Sequence, residues 1–277
     1  MTSYENPTPK EGINTSNEHP LKEFWQLLLG IGAVILLLIV LVNSFAGVLA
    51  KQIPFKFEQR MVADFEFFER DNSERQQRLQ ALADELIPLM DLPEGMTITV
   101  HYSDEEIVNA FATLGGNLMF FKGLVERVES EEELAAVMGH EIAHIKHRHP
   151  ISALGKGVLF ATLAAFAGGA SGSATGEWLI GSSTNLGMMK FSRDQERQAD
   201  FEAARALQLR YGNILGAEAL FERFSELEGE HVVTDPENKF AEFFRSHPYS
   251  EDRWESLLQQ ASGQGWSTVG TLTPLEL

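Results

Sequence analysis

Cysteine is absent from the 277 residues. That excludes disulfides, thiolate zinc ligands, a cysteine nucleophile and a lipid-modified N-terminal cysteine. It is compatible with an oxidising compartment without requiring one. Positive charge is also scarce: 22 Lys and Arg against 40 Asp and Glu leave a net charge of −18. The first 24 residues carry two lysines and four glutamates, so −16 of that charge falls beyond them. A nucleic-acid partner is disfavoured by this sign. Internal repeats and low-complexity tracts are missing as well. Apolar residues at 44% and charged residues at 22% are ordinary globular values, which exclude both wholesale disorder and a polytopic membrane protein.

One long apolar run stands out. From Phe24 to Ala50 no charged residue occurs, and Leu27 to Val42 is almost wholly aliphatic, enough to cross a hydrocarbon core of about 30 Å. Residues 1–23 before it are polar and rich in Pro, Asn, Thr and Glu, a composition that reads as a loose tail. The alternative is a cleaved signal peptide, but the preceding tail is long and acidic and no clean small-x-small site follows. The division expected is therefore a polar tail at 1–23, a transmembrane helix at 24–50, an amphipathic helical linker region at 51–92 and the main folded domain at 93–277. Lysines and arginines flank both ends of the apolar run, so the positive-inside rule leaves sidedness open.

Beyond the turn at Pro93 and Gly95, short runs at 97–100, 109–114 and 118–121 read as a small sheet. The last run leads into Ser130-Glu131-Glu132-Glu133, which has the form of a capping box and starts a helix predicted to continue to Pro150. Within it His140 and His144 are four apart, hence on one face and able to grip one ion. Glu141 beside them can accept a proton from water, so HEIAH supplies ligand, base and ligand. The alternative is a helix with surface histidines, against which the apolar neighbours Leu134, Val137, Met138, Ala143 and Ile145 argue. His147 and His149 read as a solvated helix end.

A catalytic zinc needs a third protein ligand and an open position. Ser192 and Gln195 form a second capping box, and Gly212 suits the C-terminus of the helix they open. On it Glu196 and Asp200 share a face with Ala199 and Ala203, so Glu196 can bind metal while Asp200 hydrogen-bonds a ligand histidine. Their alternative is a pair of ordinary solvated carboxylates. The Gly, Ala and Ser-rich stretch 155–190 has an apolar part too short to span a bilayer, and reads as a lid or a membrane-dipping hairpin.

SEEELAAVMGHEIAH, the NAFATLGG segment followed by FKGL, and FSRDQERQAD together resemble the zinc metallopeptidases related to CAAX prenyl protease and the heat-shock protease HtpX. The resemblance covers roughly residues 75–260 and implies an α+β, predominantly helical zincin-like domain with a small sheet. It implies His140, His144 and Glu196 as ligands of one Zn2+ per chain, Glu141 as base and Asp200 behind the ligands. It also implies that His247 of HPYSEDR faces the active site, stabilising an oxyanion or capping the zinc, with Arg253 as its buttress. A single span departs from the multi-span members, which points to a quality-control endopeptidase acting on unfolded or membrane-associated proteins. The expected setting is a single-pass protein of a bacterial inner membrane with its catalytic domain periplasmic. Two other readings stand beside it: a zinc-binding but proteolytically silent scaffold or chaperone, and a metallohydrolase of non-peptide substrates.

Overall fold

A computed structural model describes residues 20–63, 73–155, 157, 190–229, 247 and 250–276. The tail at 1–19 and most of the Gly-rich stretch at 155–190 lie outside the described residues, as does the lid expected there. The chain divides into two units, Met1–Ser44 and Phe45–Leu277.

The first unit holds most of α1 (Pro20–Gln52), a continuous helix that extends beyond the uncharged run at both ends. Leu27, Leu29, Ile31, Val34 and Leu36 on it are all exposed. A water-soluble protein does not leave such a surface bare. The segment Leu21–Leu41 is long and apolar enough to cross a membrane.

In the second unit, α2 (Phe55–Val62) and α3 (Glu74–Leu86) precede a three-stranded sheet. The strands are β1 (Thr99–Ser103), β2 (Ala110–Ala112) and β3 (Asn117–Phe121), in the order β1-β3-β2. β1 runs parallel to β3, and β2 is antiparallel to it with Phe111 opposite Met119. β3 is therefore central, and β1 and β2 are the outer strands, with the Val100 amide of β1 already donating to Gln80 of α3. An additional extended segment has no place beside β3, both sides of which are already hydrogen-bonded, and could pair only with an outer strand. Gly116, at φ 85°, lies so close to the Thr97 carbonyl that no side chain fits there.

After α4 (Lys122–Val125) comes α5 (Glu131–Lys146), opened by the full Ser130/Glu133 capping box. Its buried residues Leu134, Met138 and Ile142 join Leu79 and Leu86 of α3 and Phe120 of β3 in the main core. α6 (Arg193–Tyr211) is likewise opened by a Ser192/Gln195 box and closed by Gly212 in the left-handed conformation. Gly139 lets α6 approach: a Cβ there would lie 3.2 Å from Cα of Ala203. α7 (Leu215–Gly229) and α8 (Glu251–Gln264) complete the described helices of this unit, and Arg223 of α7 donates to the buried Glu133.

The predicted helix to Pro150 is corrected at its end. α5 stops at Lys146, Arg148 takes a φ of 61°, and helical turns resume at 149–155 with Pro150 in the first of them. Proline belongs in a first turn, where its missing N–H costs nothing.

Candidate metal centre

α5 and α6 cross where Gly139 meets Ala203, and that contact brings the HEIAH face against Glu196 and Asp200. His140 and His144 point their Nε2 atoms toward each other at 3.0 Å. Glu196 Oε2 is 3.5 Å from the first and Oε1 is 3.6 Å from the second. His247, from the segment ahead of α8, places Nδ1 3.2 Å from His140 Nε2 and 3.2 Å from each Glu196 oxygen. All four side chains are buried.

These distances test whether zinc fits. A tetrahedral ion with bonds of about 2.0–2.2 Å sets its donors about 3.3–3.6 Å apart. The observed separations of 3.0–3.6 Å overlap that range, and nitrogen and carboxylate donors suit zinc. Two buried imidazole nitrogens facing each other and a carboxylate make poor sense as a hydrogen-bond network, since each of the contacts shares the same few protons. The cluster can hold a metal ion.

Around it the supports are specific. His140 Nδ1 is 3.0 Å from Asp200 Oδ1. Arg253 of α8 grips Asp200 with two bonds, Nε to Oδ2 at 2.9 Å and Nη2 to Oδ1 at 2.7 Å, and places Nη1 3.1 Å from Glu196 Oε2. The buttress expected for His247 thus serves the carboxylates, because a planar guanidinium matches carboxylate oxygens in pairs. Glu141 is fully buried against the Ala112 backbone. His247 Nε2 lies 3.4 Å from its Oε1.

Electrostatics follow from burial and pairing. Burial pushes the Glu141 carboxyl up, against the lowering influence of His247 and His140. For Asp200 burial acts in the same direction but Arg253 and His140 outweigh it, so its carboxyl is held down. Glu196 is likewise driven well down despite burial, by His247 and His140. Burial alone would lower His140, yet hydrogen bonds to Asp200 and Glu196 raise it; a metal taking Nε2 competes with that proton. His144, buried and beside His140, is driven well below its ordinary value.

The structure brings together every residue predicted for the site. It also adds some that the residues alone did not suggest. Phe191 stacks on His144 at 4.0 Å between ring centres, and His149 sits 2.8 Å from His144 Nδ1. His149 and Arg148, expected at a solvated helix end, are both buried. The phenylalanine next to the Ser192 cap and the proline after His149 were the available signals. His147 stays outside the cluster and pairs with Glu202 at 3.3 Å.

Residues 73–261 match peptidase family M48. Metalloprotease LoiP of Escherichia coli (strain K12) is 29% identical over 198 residues, 70% of this chain and 73% of that protein. The beta-barrel assembly-enhancing protease of the same organism is 34% identical over 113 residues, covering 36% of this chain and 23% of that one. Mitochondrial metalloendopeptidase OMA1 of Arabidopsis thaliana is 39% identical over 70 residues, 25% of this chain and 14% of that protein. The chain thus spans under a quarter of the length of the last two. With a match over most of the chain and a buried His, His, Glu cluster where such a match requires one, this chain belongs to peptidase family M48, the zinc metallopeptidases.

Proposed function

We propose that the protein is a membrane-anchored zinc endopeptidase that cleaves unfolded or membrane-associated proteins. The observation that carries the reading is the fully buried Glu141 carboxylate, with His247 Nε2 3.4 Å away, beside the cluster of His140, His144 and Glu196. A structural zinc site has no use for such a carboxylate and fills four protein ligands. When bound, zinc supplies a Lewis acid that polarises the scissile carbonyl and makes water acidic. Glu141, its basicity raised by burial, accepts the water proton at a carboxylate oxygen and delivers it to the leaving amine. His247 donates from its imidazole to the oxygen on which negative charge develops. Asp200 holds the His140 ring, and Arg253 holds Asp200 and Glu196.

Substrate geometry follows from β2. As an outer strand next to α5 it supports addition of an extended peptide, recognised through backbone more than side chains. The buried Asn109 Oδ1 and Thr113 Oγ1 at its two ends lack hydrogen-bond partners among the described residues, and such groups call for one. Backbone recognition favours unfolded substrates. α1 supports anchoring, and a relative named for enhancing beta-barrel assembly supports action on membrane proteins; the setting we propose is quality control at a bacterial inner membrane, with the domain on the periplasmic side.

The test is cleavage of casein by membranes bearing the full chain. Activity should stay in the pellet after alkaline carbonate extraction, disappear with a chelator and return with one zinc per chain. A protein that binds zinc but cleaves nothing would favour the scaffold reading.

A further inference from the structure

The two histidines of HEIAH are supported differently. His140 has the Asp200 carboxylate on its Nδ1, whereas His144 has another imidazole, His149 Nδ1, at 2.8 Å. For His144 Nε2 to hold a metal it must be unprotonated, so its proton sits on Nδ1 and is donated to His149. His149 in turn is hydrogen-bonded to the side chain of Gln198 on α6. His149 therefore fixes both the tautomer and the ring plane of a ligand.

What fixes His149 comes from outside the matched domain. It follows Arg148, whose φ of 61° lies in a region that arginine occupies only when its surroundings impose it. Glu58 of α2 is the imposing group. Arg148 Nε donates to Glu58 Oε1 at 2.7 Å, Nη2 donates to the same oxygen, and Nη2 also donates to the Ile53 carbonyl at 2.8 Å. The other Glu58 oxygen accepts from the Gly115 amide at 3.1 Å, so the carboxylate is fully used. Both partners are buried. Independently, Val62 of α2 packs with Leu114, Ile151 and Leu154 in a small apolar cluster of its own. The same two segments are joined by charge and by packing, and residues 53–62 precede the family match at 73–261.

We propose that Glu58 and Arg148 are positioning residues for the metal centre: α2, docked through its buried carboxylate, sets His149 against Nδ1 of His144 and so orients that ligand. The stretch after the apolar helix is then part of the site's support rather than a tether. The inference rests on His144 being a zinc ligand.

The experiment measures zinc affinity, by competition with a chromophoric chelator, and the absorption spectrum of the Co2+-substituted full chain in detergent micelles. His149→Phe should weaken zinc binding by about 10–100-fold and change the cobalt spectrum. His149→Gln, whose carbonyl still accepts the Nδ1 proton, should stay within about threefold of wild type. Glu58→Gln should weaken binding in the same direction, and the double variant Glu58→Gln/His149→Phe should bind no more weakly than His149→Phe alone, because one residue acts through the other. If Glu58→Gln does not fold, Arg148→Gly, which suits the positive φ, carries the same comparison. Wild-type affinity and spectrum in the Glu58 or Arg148 variant, or losses that multiply in the double variant, would overturn the proposal. A wild type that takes up no zinc would instead overturn the ligand assignment on which it rests.

Discussion

Glu196 and Asp200 stand one helical turn apart on α6, yet their surroundings give them different tasks. Glu196 faces two histidine Nε2 atoms, while Asp200 faces a histidine Nδ1 and an arginine fork. The first can bind metal; the second holds a ligand and neutralises Arg253. His247 lies close to both Glu196 and Glu141, which suits a group that acts on the reacting oxygen. Replacing it by alanine should lower kcat by about 10²–10³-fold, the loss typical of an oxyanion donor. Bound zinc should stay at one per chain by metal analysis, since three ligands remain; loss of zinc would instead make His247 a ligand. A second residue-scale prediction concerns Glu202, which accepts from Lys146 at 2.9 Å and pairs with His147. Burial would raise its carboxyl, but hydrogen bonds from His147 and Lys146 outweigh that and hold it down to about 2. A depressed folded value contributes stability that is complete above the unfolded pKa of about 4.3 and is lost as pH falls through about 2. Glu202→Gln should therefore lower Tm at neutral pH, and the gap to wild type should close across that acid window. A gap independent of pH would remove the ion pair as its cause.

At the scale of elements, the α5 and α6 crossing decides whether a site exists. Gly139 and Ala203 set its closeness, so Gly139→Val should push the helices apart, separate Glu196 from the histidines and lower zinc affinity along with stability. Overpacking of this kind costs about 1–3 kcal/mol, readable as a lower denaturant midpoint. Normal zinc binding in that variant would show that the helices can yield without moving the ligands. Both helices were legible in the sequence because their starts are local: Ser130 with Glu133 and Ser192 with Gln195 need nothing beyond four consecutive residues. The end of α5 was not. Pro150, which cannot donate to the Lys146 carbonyl, sets a limit but not the turn itself, where Arg148 goes left-handed to reach Glu58, 90 residues earlier in the chain. Strand order was equally hidden, since 109–114 and 118–121 have the same apolar character and only pairing makes one central and the other an edge. Arg253 is a similar case: its position in HPYSEDR says nothing about which carboxylate its fork will meet.

For the whole molecule, one apolar helix and one peptidase unit carry the account. The apolar character of 24–50 was plain from composition, and His140, His144 and Glu196 were legible as candidates, because metal sites demand few residue types at tight spacing. The polar contacts behind the ligands were less visible, since they come from α2, α6 and α8 together and follow no short pattern. The central claim is that this assembly hydrolyses peptide bonds with Glu141 as the base. Its most direct test is casein cleavage by the zinc-loaded full chain compared with Glu141→Gln, with zinc content measured on both. The account predicts one zinc in each protein, turnover in the wild type and a loss of at least about 10²-fold in the variant. Cleavage at the wild-type rate by zinc-replete Glu141→Gln would contradict it.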